Sequence, residues 1–533
     1  MTSPDLPQTI PQVIRRAATM FGGQEGVVDG DVRLSFTELV AEIDIAARAL
    51  IASGVEPGER VAIWAPNVYE WAVAALALHS VGGVLIPVNT RFKGEEAAYI
   101  LGAAGARRLF TVTDFLDTNY VDLLRNAPTD VDLDDIVILR GAVPDGCTPW
   151  TDFMARGSDV DPSVSAARAD AVQPDDLCDI LFTSGTTGAP KGAMLMHSPS
   201  IRAYNSWADV VGLREGDRYL IINPFFHAFG LKAGILTCLL KGATIVPHPI
   251  FDVPSVMRRV AEEKITMLPG PPAIFQTILN HPELEQSDLS TLRLAVTGAA
   301  AIPTEMIIAM REKLGFENVV TGYGLTEAHG IATMCRHDDD PETIAKTSGR
   351  AIPDVEVRLV DDDGREVATG EPGEVVVRGY NIMKGYLDNV AATAEAIDGD
   401  GWLHTGDVAV SDAAGNITIT DRKKDMYIVG GFNAYPAEIE NIMNRHPGIA
   451  QVAIVGVPDQ RLGEVGMAFI VPTTGTTIDA TEVIAWSGEH MANYKVPRYI
   501  EVVDVLPLNA SGKVLKFDLR DRGVKLINPA NLG

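Results

Sequence analysis

Cysteine is scarce in this chain: four thiols in 533 residues, at positions 147, 178, 238 and 335, with no C-x-x-C pair among them. That spacing excludes a disulfide framework and a zinc site built from paired thiols, and it fits a reducing compartment. Positive charge is also short. Lys and Arg number 44 against 71 Asp and Glu, a formal net charge of -27, which disfavours nucleic acid and anionic lipid as partners. The densest acidic runs, Asp338–Asp340 and Asp361–Asp363, read as solvated turns. No apolar run reaches membrane length unbroken. Trp71 to Val88 comes nearest, but His79, Ser80, Gly82, Gly83 and Pro87 interrupt it, and it reads as a buried helix followed by a buried strand. The opening MTSPDLPQTI has neither a basic nor an apolar signal region, so a cytoplasmic location without a membrane span is expected. Nothing in the sequence sets an oligomeric state, and a homodimer is left open.

What is present is an α/β pattern. The length exceeds what one core usually supports, so two or more domains are expected. From Val61 to Thr326 short β-rich runs (VAIWAP, VLIPV, RRLFTV, YLIINP, ATIVP, ITMLPG, LRLAVTG) alternate with helix-length segments such as Pro303 to Leu314. That is the pattern of βα units around parallel strands. After Ser348 the strings VEVRLV, EVVVRG and NITIT with a DDDG turn predict hairpins of a small antiparallel subdomain, about 348–422. The charged run DRKKD at 421–425 precedes a tail with its own strands (VAIVGV, MAFIVP, YIEVVDV) and a Pro436 suited to a first helical turn. The expected division is therefore a large α/β domain over 1–422 and a small, mobile α+β domain over 423–533.

The segment Thr183–Gly192, TSGTTGAPKG, directly follows the apolar run Ile180–Phe182. Its glycines (Gly185, Gly188) let backbone N–H groups converge on an anion, Thr183, Ser184, Thr186 and Thr187 add hydroxyl donors, and Lys191 adds charge. A flexible loop of turn-formers shares this composition, but the string reads as a polyphosphate cradle. It is not a Walker loop, because the second glycine of that motif would fall at Pro190 and Lys191 is followed by Gly192. Nor does it contain the G-x-G-x-x-G of a dinucleotide fold.

The whole string resembles the signature of the adenylate-forming superfamily of acyl-CoA synthetases, luciferases and peptide-synthetase adenylation domains. Five further strings resemble the same superfamily in the same order: NPFFHAFG (223–230), Gly298-Ala299-Ala300, GYGLTE (322–327), GWLHTGD (401–407) with DRKKD, and PLNASGKVLK (507–516). The resemblance implies that Gly298, Ala299, Ala300, Gly322, Tyr323 and Gly324 border the adenine and the reacting carboxyl group, that Thr326 touches the α-phosphate, and that Glu327 holds Mg²⁺. One carboxylate is chemically enough for a metal that arrives on ATP. Asp407 and Arg422 are implied at the ribose, and Lys513 as the catalytic ammonium bridging the substrate carboxylate and the α-phosphate. His227 and Phe229 are implied beside the acyl group, with Gly298 and Gly324, and Leu231 and Ile235 are further apolar wall candidates. Lys424 stands at the implied hinge, and Gly430, Gly431 and Phe432 at a path for the coenzyme A thiol.

The activity implied is ATP-dependent activation of a carboxylic acid to an acyl-adenylate, then transfer to coenzyme A. A luciferase-like oxygenase or a carrier-protein-loading enzyme shares most of these motifs. The flanking strings DILFTSGTTG, INPFFHAFGLKAGIL, LPGPPAIFQ and VPDQRLGEVG are similar to actinobacterial CoA ligases that act on a propanoate carried by steroid-derived rings. A medium- or long-chain fatty acid is the alternative.

Overall fold

The computed structural model describes residues 6–183, 190–298, 302–422, 425–429, 432–459, 462–491, 493–509 and 513–527, with the backbone alone at 421, 422, 432 and 433. By packing, the chain divides into two units: Met1–Val357 with Val377–Leu403, and Arg358–Val376 with His404–Gly533.

The first unit holds two large sheets. Each of the seven strings expected as strands between Val61 and Thr326 lies in one of them. One sheet runs in the order Gly385–Tyr386, Lys191–Met196, Leu177–Thr183, Val84–Pro87, Arg60–Trp64, Arg108–Val112, Asp135–Arg140, Thr148–Pro149. Its pairs are parallel from Leu177–Thr183 to the Thr148 edge, whereas Lys191–Met196 and Gly385–Tyr386 add antiparallel strands at the other edge. The other sheet runs Asn318–Val320, Leu294–Val296, Met267–Pro269, Arg218–Ile221, Thr244–Pro247, Glu25–Asp29, Val32–Ser35. Its last two strands are an early hairpin that the sequence pattern from Val61 onward did not include. That hairpin leads into the helix Phe36–Ala52 through a capping box, in which Glu38 N donates to Ser35 Oγ (3.2 Å) and Ser35 N donates to Glu38 Oε2 (2.8 Å).

The broken apolar stretch at 71–88 is the helix Tyr69–Ser80, buried from Glu70 through His79, followed by the buried strand Val84–Pro87. It is a core element, and no described helix is long and apolar enough to cross a membrane. The segment at 303–314 is the helix Thr304–Leu314, whose Met306, Ile307 and Met310 pack with Phe275, Phe316 and Leu268 in the core of the second sheet. The acidic run at 338–340 is more than a solvated turn. Asp340 accepts from Glu342 N and Thr343 N at the start of the helix Pro341–Lys346, and Asp339 binds Arg350 at 3.1 Å. The run at 361–363 is an exposed turn closed by Asp361 Oδ1, which accepts from the amides of Asp363 and Arg365.

In the second unit, Ile417–Arg422 pairs antiparallel with the strand before it, Asp407 opposite Arg422. Beyond it, Ile449–Asp459 and Gly463–Pro472 form a long antiparallel pair, and Tyr499–Val502 adds in parallel. The helices Pro436–Met443 and Lys516–Ile527 pack on these strands, with Ile439, Met443, Ile454, Phe469 and Leu519 in the core. Pro436 occupies the first turn of its helix, as its type predicts. The four cysteines are free thiols.

Candidate active site

The two described ends of the cradle motif lie on paired strands. Leu177–Thr183 and Lys191–Met196 pair antiparallel with Thr183 opposite Lys191 and Phe182 opposite Gly192, and the first of these strands is buried from Cys178 to Leu181. Ser184, Gly185, Thr186, Thr187 and Gly188 lie outside the described residues. Thr183 Oγ1 contacts Lys191 O and Glu327 Oε1, each at 3.4 Å.

Glu327 reaches these strands from a compact turn. Gly322–Tyr323 pairs with Thr333–Met334, and the chain between closes on itself through Gly330 N to Leu325 O (2.9 Å) and His329 N to Thr326 O (3.0 Å). Gly324 is required there, because a Cβ would lie 2.3 Å from Gly330 O. Gly298 ends the neighbouring strand segment with φ +153, and a Cβ on it would face Gly322 O at 3.7 Å. The two small-residue strings thus meet, although Ala299 and Ala300 lie outside the described residues. Thr326 and Glu327 are half-buried.

Behind the turn, buried His329 bridges its neighbours: Nε2 accepts from Met196 N (3.2 Å) and Nδ1 donates to Asn381 O (2.8 Å). Burial pushes its pKa down to about 4, so the ring is neutral at neutral pH. Asn381 Nδ2 in turn donates to Ile331 O (2.8 Å).

Tyr386 is a site residue that the sequence did not disclose. Its hydroxyl donates to Glu327 Oε1 at 2.7 Å, and the Lys191 ammonium stands 5.2 Å from its ring centroid. Burial, and then the Glu327 charge, push the phenol well above its ordinary range, so it remains a donor. Both hydrogen bonds that Glu327 accepts at its carboxylate among the described residues end on Oε1. A carboxylate with its other oxygen turned to no described partner suits a hard cation carried in on a phosphate ligand. Among the described residues no group of three His, Cys, Asp or Glu side chains could hold a resident metal.

The string NPFFHAFG leads into a π-helix, Phe229–Leu236, a form that is rare and frequent at functional sites. His227 is exposed, its Nδ1 accepting from Phe229 N at 3.1 Å. Phe229 packs edge-on against Trp207 at 5.9 Å, and Leu231 and Ile235 are buried. This string abuts the Glu327 turn, since a Cβ on Gly330 would lie 3.2 Å from Ala228 Cβ. Lys232 of the π-helix points into the core instead: it is 1% exposed, and its ammonium pairs with Asp179 Oδ2 and approaches Cys178 Sγ at 3.4 Å. Asp179 Oδ1 is also 3.0 Å from His79 Nε2. Burial would raise the Asp179 carboxyl, but Lys232 and His79 hold it far below the usual range.

The remaining candidates belong to the second unit. Asp407 is buried, with its amide bonded to Thr405 Oγ1 (3.1 Å) and its backbone opposite Arg422; the Arg422 side chain is outside the described residues. The Lys513 amide donates to Asn509 Oδ1 (2.9 Å) and its carbonyl accepts from Asn509 N (2.8 Å). Tyr427–Val429 and Phe432–Ala434 form a hairpin whose two connecting residues, Gly430 and Gly431, lie outside the described residues, as does Lys424.

Residues 14–387 match the model of the AMP-binding enzyme family, and residues 438–513 match the AMP-binding enzyme C-terminal domain. The 3-[(3aS,4S,7aS)-7a-methyl-1,5-dioxo-octahydro-1H-inden-4-yl]propanoyl:CoA ligase of Rhodococcus jostii (strain RHA1) is 49% identical, covering 97% of this chain and 99% of its own. The ligase of the same name from Mycobacterium tuberculosis (strain ATCC 25618 / H37Rv) is also 49% identical, with 97% and 99% covered. Among solved structures, the anthranilate CoA ligase AuaEII in complex with anthranoyl-AMP superposes with a TM-score of 0.85 at 29% identity, over 99% of this chain and 100% of its own. With a family match over most of its length and relatives this similar from end to end, the chain belongs to the AMP-binding enzyme family.

Proposed function

We propose that the acid taken by this AMP-forming acyl-CoA ligase is a propanoate carried on a fused-ring skeleton. The observation that carries the proposal is the 49% identity, over 97% of the chain, to two ligases named for such an acid. ATP and coenzyme A are its co-substrates. In the first half-reaction the carboxylate attacks the α-phosphorus in line and pyrophosphate leaves, giving an acyl-adenylate. In the second, the coenzyme A thiol attacks the acyl carbonyl and AMP departs. No covalent enzyme intermediate is needed.

The roles are assigned from the charge of each residue and from the resemblance of its motif. Thr183, Lys191 and the loop between them take the phosphates, the Gly298 and Gly322–Gly324 strings leave room for the base and the acyl carbonyl, and Thr326 meets the α-phosphate. Glu327 takes the Mg²⁺ that accompanies ATP, which offsets phosphate charge. His227, Phe229, Leu231 and Ile235 border the acyl group. Asp407 and Arg422 hold the ribose. Lys513 bridges two anions that otherwise repel. We place the functional domain boundary at 422/423 and the hinge at Lys424, so that residues 423–533 swing to present first Lys513 and then Gly430, Gly431 and Phe432 to the adenylate. Free thiols and the use of ATP and coenzyme A fit a cytoplasmic enzyme.

The test is a panel of acids (acetate, octanoate, palmitate, benzoate and a bicyclic ring propanoate) assayed for AMP release with coenzyme A present. The ring propanoate should give the highest kcat/KM. Preference for octanoate or palmitate would make the enzyme a fatty-acid ligase, and light or oxygen uptake without thioester would make it an oxygenase. In Lys513→Ala, adenylate formation should fall by roughly 100-fold or more, while a supplied acyl-adenylate should still pass to coenzyme A. An equal loss in both half-reactions would show that Lys513 is not the adenylation ammonium.

A further inference from the structure

Lys191 and Glu327 carry opposite charges into the same site, yet no ion pair joins them. Thr183 Oγ1 reaches the Lys191 backbone and Glu327 Oε1, each at 3.4 Å, but the side chain that meets both charged groups is Tyr386, whose hydroxyl donates to Glu327 Oε1 (2.7 Å) and whose ring lies 5.2 Å from the Lys191 ammonium. The chain around it is built to present that side chain. Gly385 and Tyr386 pair with Met194 and Ala193, and Leu387 N donates to Gly192 O (2.8 Å), one residue from Lys191. On the other side Met383 N donates to the backbone oxygen of Glu327 (2.8 Å). Gly385 has φ +141, and a Cβ there would lie 2.9 Å from Thr393, whose hydroxyl receives the Tyr386 amide (2.9 Å). One short segment is thus tied by backbone to Glu327 and to the strand that Lys191 opens, and it sets one aromatic side chain against both charged groups.

We propose that Tyr386 is a positioning residue that keeps Lys191 and Glu327 from neutralising each other before nucleotide binds; the proposal rests on the reading that both residues meet ATP. A half-exposed Lys–Glu pair and an ammonium over an aromatic face are contacts of similar, small strength. The ring therefore offers Lys191 a contact as good as the ion pair without consuming the carboxylate. The hydroxyl fixes Glu327 through one oxygen and leaves the other for a cation. Without the ring the long Lys191 side chain would close onto Glu327, and ATP would have to break that pair to bind.

The test is equilibrium titration of the full-length protein with ATP, without metal and then with Mg²⁺, for the wild type, Tyr386→Leu, Tyr386→Phe, Glu327→Gln and the double variant Tyr386→Leu/Glu327→Gln, each checked for folding by circular dichroism. Tyr386→Leu should weaken metal-free ATP binding about fivefold, and the double variant should restore it, because Lys191 then has no carboxylate to close on. Glu327→Gln alone also removes a charge that repels the phosphates, so a ring that serves only to pack the fold gives the same gain from Glu327→Gln with Tyr386 present as with it replaced. Tyr386→Phe should keep metal-free binding but raise the Mg²⁺ concentration needed for tight ATP binding. Wild-type binding in Tyr386→Leu, or no recovery in the double variant beyond the gain from Glu327→Gln alone, overturns the proposal. If the Leu variants do not fold, an unchanged Mg²⁺ requirement in Tyr386→Phe overturns it. Failure of the underlying reading looks different: Lys191→Met would then bind ATP as the wild type does.

Discussion

The strand Leu177–Thr183 ends in two carboxylate–ammonium arrangements of opposite design. At its inner end Asp179 and Lys232 are paired, fully buried and backed by His79. At its outer end Glu327 and Lys191 are half-buried and form no ion pair with each other, and Tyr386 meets both. The inner pair neutralises itself within the protein, as burial of charge demands. The outer charges are left unneutralised by each other, which suits a site whose ligand brings phosphates and a cation. Identical chemical groups therefore serve structure at one end and ligand capture at the other, and separation together with exposure marks the difference.

The largest effect should come from breaking the inner pair. Lys232→Met leaves the buried Asp179 without its ammonium and with only His79 and Cys178 beside it, and should cost about 3–5 kcal/mol by urea unfolding, with Asp179→Leu/Lys232→Met recovering much of it. A loss under 1 kcal/mol would mean that water reaches the pair, and the contrast between the two ends would collapse. Acid should act next. His329 sits behind the outer end with its pKa near 4 against an ordinary 6.5, and His197, beside the inner end, is depressed by burial, the charges of His79 and Lys232 adding to it. A depressed folded-state value means that the unfolded chain binds protons first as pH falls. The stability present above pH 6.5 should thus drop by roughly 3 kcal/mol for His329 alone as pH falls toward 4. Urea midpoints from pH 7.5 to 4.5 check this, and His329→Gln should flatten the curve. The smallest change in stability belongs to the outer end: Glu327→Gln should shift unfolding by no more than about 0.5 kcal/mol while weakening Mg²⁺-dependent ATP binding. A large stability loss there would make Glu327 a structural charge like Asp179.

Much of this was legible in the sequence for reasons of locality. The strand before Gly298, the helix ending at Leu314 and the Pro436 helix start are written in contiguous residues whose pattern and cap chemistry is local, whereas the antiparallel return of Lys191–Met196 was not read from the cradle string. The segregation of the parallel strands into two sheets was not, because an apolar run does not name its neighbour. The early hairpin at 25–35 joins a sheet whose other strands begin at Arg218. Tyr386 lies 59 residues from Glu327 in a GY step with no signature of its own. Lys232 did leave a trace, a lone cation in the apolar run FGLKAGIL, which is the pattern a buried charge needing a partner produces. The π-helix around it has no pattern separable from a short α-helix.

The central step is formation of an adenylate before coenzyme A takes part. Labelled pyrophosphate exchange into ATP, run with Mg²⁺, a bicyclic ring propanoate and no coenzyme A, measures that step alone. Acid-dependent exchange is the result expected. Exchange that requires coenzyme A, or release of ADP in place of AMP, would contradict it.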